Sequence, residues 1–153
     1  MIRAAALLFA PVLFTAACQP ASTGETDGPV LSYTDAYIME PLGGRDVTAG
    51  GIKISVEGGD VRLTGAITDV AATVETHTMA MDGDRMTMSP VDGWDIKDGE
   101  TLELKRGGNH LMLFGVIDGL AAGDTANISF TFETPEGETL TLEAETDVRA
   151  LGE

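Results

Sequence analysis

From Tyr33 onward, apolar residues recur at every second position in short runs, and turn-forming pairs cut one run from the next. Ile52, Ile54 and Val56 share one parity, as do Val61, Leu63 and Gly65 in the following run. Ile128, Phe130 and Phe132 alternate with Ser129 and Thr131, and Leu140 and Leu142 with Thr139 and Thr141. A period of two places successive side chains on opposite faces of an extended chain, so each run predicts a strand with one face in a core. The turn pairs include Gly43-Gly44, Gly58-Gly59, Asp82-Gly83, Asp98-Gly99, Gly107-Gly108 and Glu136-Gly137. No segment carries the three-and-four spacing of an amphipathic helix. The pattern predicts an all-β domain, an antiparallel β-sandwich or barrel of roughly seven to nine strands.

The first residues break this pattern. Met1-Ile2-Arg3 is a short positive start, Ala4 to Phe14 is apolar but too brief to span a bilayer, and Thr15-Ala16-Ala17-Cys18 closes it with small residues. Residues 1–17 resemble a lipoprotein-type bacterial signal peptide, with Cys18, the single cysteine, as the lipidation residue. Thr15 departs from the leucine usual there, and an ordinary secretory signal cleaved nearby is the alternative. Either reading exports the chain to the periplasm. Residues 18–32 are rich in Pro, Ser, Thr, Gly and acidic groups and are expected to form a tether, with the folded domain over 33–150. A lipid on Cys18 would be the only membrane attachment, and it would leave the domain without a thiol.

Charge excludes one class of partner. The chain has 25 acidic and 9 basic residues and a net charge of −16; loss of Arg3 with the leader makes it −17. Such a surface repels phosphate backbones, so no nucleic acid is expected. It favours solubility as a monomer and, weakly, the approach of cations.

The two histidines change the picture most. Each stands in a His-x-Met triplet, His77-Thr78-Met79 and His110-Leu111-Met112, with Met81, Met86 and Met88 between them. On a strand, His110 and Met112 present an imidazole and a thioether on one face. A hairpin folded at Asp82-Gly83 brings His77 and Met88 to neighbouring strands, and Met86 and Met88 share a face. Imidazole with thioether is a donor set for copper, above all Cu(I), because soft sulfur selects soft metal. Thioether cannot be protonated, whereas imidazole must be neutral to bind, so affinity should fall below about pH 6.5.

At this point the residues resemble the PCu(A)C family of periplasmic copper chaperones. His77, ten residues, Met88, twenty-one residues and then His110-x-Met112 follow that family's ligand spacing, within His77-Thr78-Met79-Ala80-Met81-Asp82-Gly83 and Gly107-Gly108-Asn109-His110-Leu111-Met112-Leu113. The resemblance covers Tyr33 to Val148. It implies a cupredoxin-like β-sandwich of Greek-key type, with His77, Met88, His110 and Met112 binding one Cu(I). It also implies delivery of that copper to the binuclear centre in the copper subunit of cytochrome c oxidase, beside a Sco-type protein. Thr78 stands where many members carry methionine, outside the core ligand set. The chain ends without the His- and Met-rich tail of some relatives, so no second tail site is expected.

The remaining residues have plainer readings. Met79 and Met81 are expected to be packing residues, Met86 is open between core and a spare thioether, and Trp94 is expected to cap a hydrophobic edge. No enzyme is expected: there is no Ser-His-Asp arrangement, phosphate loop or domain thiol. A blue-copper electron carrier is disfavoured because such a site needs a thiolate. Two functions stay open beside delivery: copper sequestration for tolerance, and a surface interaction domain that binds no metal.

Overall fold

A computed structural model describes residues 28–151; the leader, Cys18 and residues 19–27 lie outside the described residues, as do 152 and 153. All regular elements there are strands: β1 (Val30–Met39), β2 (Val47–Glu57), β3 (Val61–Thr68), β4 (Ala71–Asp82), β5 (Arg85–Val91), β6 (Trp94–Ile96), β7 (Thr101–Leu104), β8 (His110–Val116), β9 (Thr125–Glu133) and β10 (Thr139–Arg149). The expected all-β domain is therefore borne out, with one strand more than the upper count. The short β6 and β7 add to the sheet beside β3 and β2.

The order β4-β8-β2-β1-β10-β9-β3 closes on itself through a β3–β4 pairing at Ala66 and Val74. Closure joins the two ends of this seven-strand set, while β5 and β6 remain as outer strands beside β4 and β3. The expectation of a purely antiparallel sheet needs one correction: β1 and β10 run parallel, with Tyr37, Ile38 and Met39 opposite Asp147, Val148 and Arg149. A parallel pair cannot be joined by a tight turn, and these two strands lie at opposite ends of the domain sequence, where no such turn is required. A second correction concerns the tether. β1 begins at Val30, because Val30, Leu31 and Ser32 pair with Glu57, Val56 and Ser55, and Leu31 packs against the core.

The core is the set the alternation points to. Ile52, Ile54 and Val56, then Leu63, then Ile128, Phe130 and Phe132 are buried together with Leu111 and Leu113 of β8. Trp94 lies half-buried against this cluster, as expected of an edge cap. The inward Leu111 and Leu113 turn His110, Met112 and Phe114 to the opposite face of β8. β2 flanks one side of β8 and β4 the other, so this outward face lies in the middle of a three-strand surface rather than at an edge.

Candidate metal centre

The β4–β8 register puts His77 directly opposite His110. Directly opposed residues of an antiparallel pair point to the same face. Their ring centroids lie 5.9 Å apart, and both residues are buried, at 7% and 6% exposure. The local chain explains the placement. The turn before β8 uses Gly107 at φ +84°, a conformation glycine adopts without strain. Thr78 Oγ1 then donates to Asn109 Oδ1 at 2.9 Å, clamping the start of β8 to β4 beside the two rings.

Each ring has one nitrogen committed and one left over. His110 Nδ1–H donates to the Gly108 carbonyl at 2.8 Å. A carbonyl only accepts, so the proton is on Nδ1 and Nε2 carries a lone pair. That lone pair faces Met88 Sδ at 3.1 Å, with no proton between two electron-rich atoms when the ring is neutral. His77 Nε2–H donates to Glu75 Oε2 at 2.8 Å. The other ring nitrogen, His77 Nδ1, is buried with no hydrogen-bond partner. Leaving a buried polar atom unpaired costs about 1–3 kcal/mol, so this one calls for an explanation. A metal ion is such an explanation: a ligating histidine characteristically gives its second nitrogen to a carboxylate or a backbone carbonyl, and both rings here do so.

The hairpin supplies the sulfur. β4 turns into β5 through Gly83, at φ +64°, and Asp84, with glycine first of the two loop residues as a type II′ turn favours. The register then pairs His77 with Pro90, Met79 with Met88 and Met81 with Met86. Met88 therefore lies diagonal to His77 on β5 and reaches across β4 to His110. The fourth sequence candidate, Met112, shares the face of His110 one register step along, opposite Glu75 and Ala49. Met112 also lines a hollow with Met39, Leu42 and Arg106. Three of the four candidates are thus brought together, and the fourth lies next to them. Among the described residues no group of three or more His, Cys, Asp or Glu side chains is placed to hold a metal. Any ion at the histidine pair would depend on the thioethers.

Glu75 and Phe114 belong to this site without having been singled out from the sequence. Glu75 holds His77, and Phe114, on β8 opposite Thr73, lies 6.3 Å from the His77 ring, centroid to centroid. The signal for Glu75 was present: it stands two residues before His77 and so shares its face. Two expectations fail for the arm. Met81 is not a packing residue, being 64% exposed, and the core reading of Met86 fails at 60% exposure. The reason is topological. β8 begins opposite His77, so beyond that point β4 has only β5 beside it and the hairpin runs out into solvent.

Comparisons with known proteins agree with this architecture. The copper-bound PCuAC domain from PmoF2 superimposes with a TM-score of 0.61 at 17% identity, over 78% of this chain and 92% of that one. The Cu(I)-bound form of DR1885 from Deinococcus radiodurans gives a TM-score of 0.58 at 27% identity, over 86% and 85% of the two chains. The fold is that of the PCuAC domains, cupredoxin-like and all-β. In sequence, the family described as "Putative lipoprotein LpqE-like" matches residues 31–146, and the chain belongs to it. A curated relative, "Putative lipoprotein Lxx21020" of Leifsonia xyli subsp. xyli, is 32% identical over 109 residues, 71% of this chain and 64% of the relative's length.

Proposed function

We propose that this protein is an exported Cu(I) carrier that holds one ion between His77, His110, Met88 and Met112 and passes it on by ligand exchange. The observation that carries this reading is the pair of in-register imidazoles, each with one nitrogen committed and one lone pair free. In this reading His77 binds through Nδ1 and His110 through Nε2. The donor set is neutral and soft, which suits Cu(I) and gives zinc little. The two copper-loaded PCuAC-type structures support the choice of metal. Met88 is 47% exposed while the imidazoles are buried. An incoming thiolate can therefore displace the surface thioether first and the buried nitrogens last, so release proceeds stepwise without free ion. Copper is the cargo, and no bond in a substrate is made or broken.

Lipid attachment through Cys18 would hold the carrier at the membrane surface within reach of membrane-bound acceptors, in keeping with the lipoprotein family it belongs to. The acceptor we propose is the copper subunit of cytochrome c oxidase, assisted by a Sco-type protein. A deletion strain tests this: loss of oxidase activity rescued by added copper is the expected outcome. Copper sensitivity with normal oxidase activity would instead mean sequestration.

Two substitutions separate the roles of neighbouring residues. Met88→Leu should weaken binding of the first Cu(I) by roughly tenfold to a hundredfold, the share of one donor. Met79→Leu, opposite it in register, should change that affinity by less than about threefold; the reverse order would move the sulfur ligand to Met79. Glu75→Ala should cost about ten- to a hundredfold in affinity, as loss of an orienting partner typically does. Its Cu(I) X-ray absorption spectrum should keep the same nitrogen and sulfur count. A changed ligand count would make Glu75 a ligand rather than a positioning residue.

A further inference from the structure

The β4–β5 arm carries more thioethers than one copper site uses. Of the seven methionines in the chain, four stand at positions 79, 81, 86 and 88. The register pairs Met79 with Met88 and Met81 with Met86, so all four share one face of the hairpin. The other face carries Thr78, Ala80, Thr87 and Ser89; there Thr78 is committed to Asn109, and Thr87 Oγ1 donates to the Ala80 carbonyl at 3.2 Å. This segregation is not a packing pattern, because Met81 and Met86 are exposed at 64% and 60%. Nor does it have the composition of an ordinary apolar face. The core is filled with Ile, Leu, Val and Phe, while every apolar position on this face of the arm beyond His77 is methionine, apart from Pro90 beside it.

We propose that Met79, Met81 and Met86 form a second, all-thioether site for Cu(I), adjoining the histidine site and filled after it. Directly opposed positions have Cβ atoms about 4.5–5.5 Å apart and diagonal ones about 7–8 Å, within reach of methionine's flexible side chain. Three neutral sulfurs with no carboxylate, imidazole or thiolate among them select a soft monovalent ion against zinc, calcium and magnesium. Asp82 and Asp84 at the hairpin tip, on a chain of net charge −16, favour a cation's approach to this end of the molecule. Because Met88 closes the inner end of the same face, an ion captured at the tip lies next to the sulfur that touches His110. The arm would act as a receiving step in front of the buried imidazoles. The site goes beyond the histidine site and does not require it.

The test is anaerobic Cu(I) titration followed by NMR of methionine methyl groups labelled with carbon-13, on the full chain with Cys18→Ser so that no thiol competes. Cu(I) is diamagnetic, so every methyl can be followed. The first equivalent should shift Met88 and Met112, and the second should shift Met79, Met81 and Met86. In a His77→Ala, His110→Ala variant the arm methyls should still shift, now at the first equivalent, which separates this proposal from the fate of the histidine site. Met81→Leu with Met86→Leu should remove the second equivalent and leave the first unchanged; both side chains are exposed, so folding is not at stake. Arm methyls that stay unmoved with Cu(I) in excess would overturn the proposal and leave the arm as a protein-docking face. Arm methyls that shift in step with Met88 during the first equivalent would also overturn it, because one merged site would then exist.

Discussion

Replacing His77 and His110 together by alanine is expected to lower the affinity for the first Cu(I) by about four orders of magnitude, two for each donor. The measurement is competition against a chromogenic Cu(I) chelator, with Cys18→Ser in both proteins to remove the thiol. Each imidazole is a strong nitrogen donor already held in place. His110 is fixed by its bond to the Gly108 carbonyl, and His77 by Glu75. Preorganisation of this kind means that little ordering has to accompany binding, so the whole contribution of the donor is lost with it. Met88 and Met112 would remain, but two thioethers alone cannot hold the ion against a chelator. Affinity unchanged by the double substitution would sink the proposed centre altogether. Loss in His110→Ala but not in His77→Ala would leave His110, Met88 and Met112 as the site and the His77 Nδ1 atom without an explanation.

The same residues show what a sequence can and cannot disclose. Strands over Ile52 to Val56 and Ile128 to Phe132 are legible because burial of one face writes a period of two into the chain. β6 and β7 are too short for a period to form, and the parallel β1–β10 pair depends on which distant strands meet, which local pattern does not carry. The closeness of the two histidines follows from the β4–β8 register, set by the turn after Leu104 and by the core face of β8 rather than by the histidines themselves. The hairpin at Gly83 was legible from its turn residues, and with it the approach of Met88 to His77's strand. The exposure of Met81 and Met86 was not, since it depends on where β8 begins and so where the arm loses its second neighbour. Which nitrogen of each ring stays free was likewise hidden, because it turns on Glu75 and on a backbone carbonyl.

Leu113→Ala is expected to destabilise the domain by about 2–5 kcal/mol while leaving the Cu(I) affinity of the folded protein nearly unchanged. Leu113 is fully buried, pairs with Thr48 and Val74, and packs over Gly50, its Cδ1 lying 3.6 Å from where a Cβ on that glycine would stand. Truncation leaves a cavity that close-packed neighbours fill only in part. A loss of this size is a large share of the roughly 5–15 kcal/mol that holds a domain of this kind together. It falls on the inward face of β8, whereas His110 and Met112 occupy the outward face. The register that aligns His110 with His77 is kept by backbone pairing between β4 and β8, which the substitution does not touch. Urea unfolding should therefore shift to lower midpoint in the variant and recover in part with copper. Free Cu(I) at a hundred times its dissociation constant contributes about 2.7 kcal/mol to the native state. In the His77→Ala, His110→Ala protein that recovery from the histidine site should vanish, although the core is intact. A Leu113→Ala protein whose folded fraction binds copper as poorly as the histidine variant would show that the two faces of β8 are not independent, and that the site depends on core packing rather than on strand register.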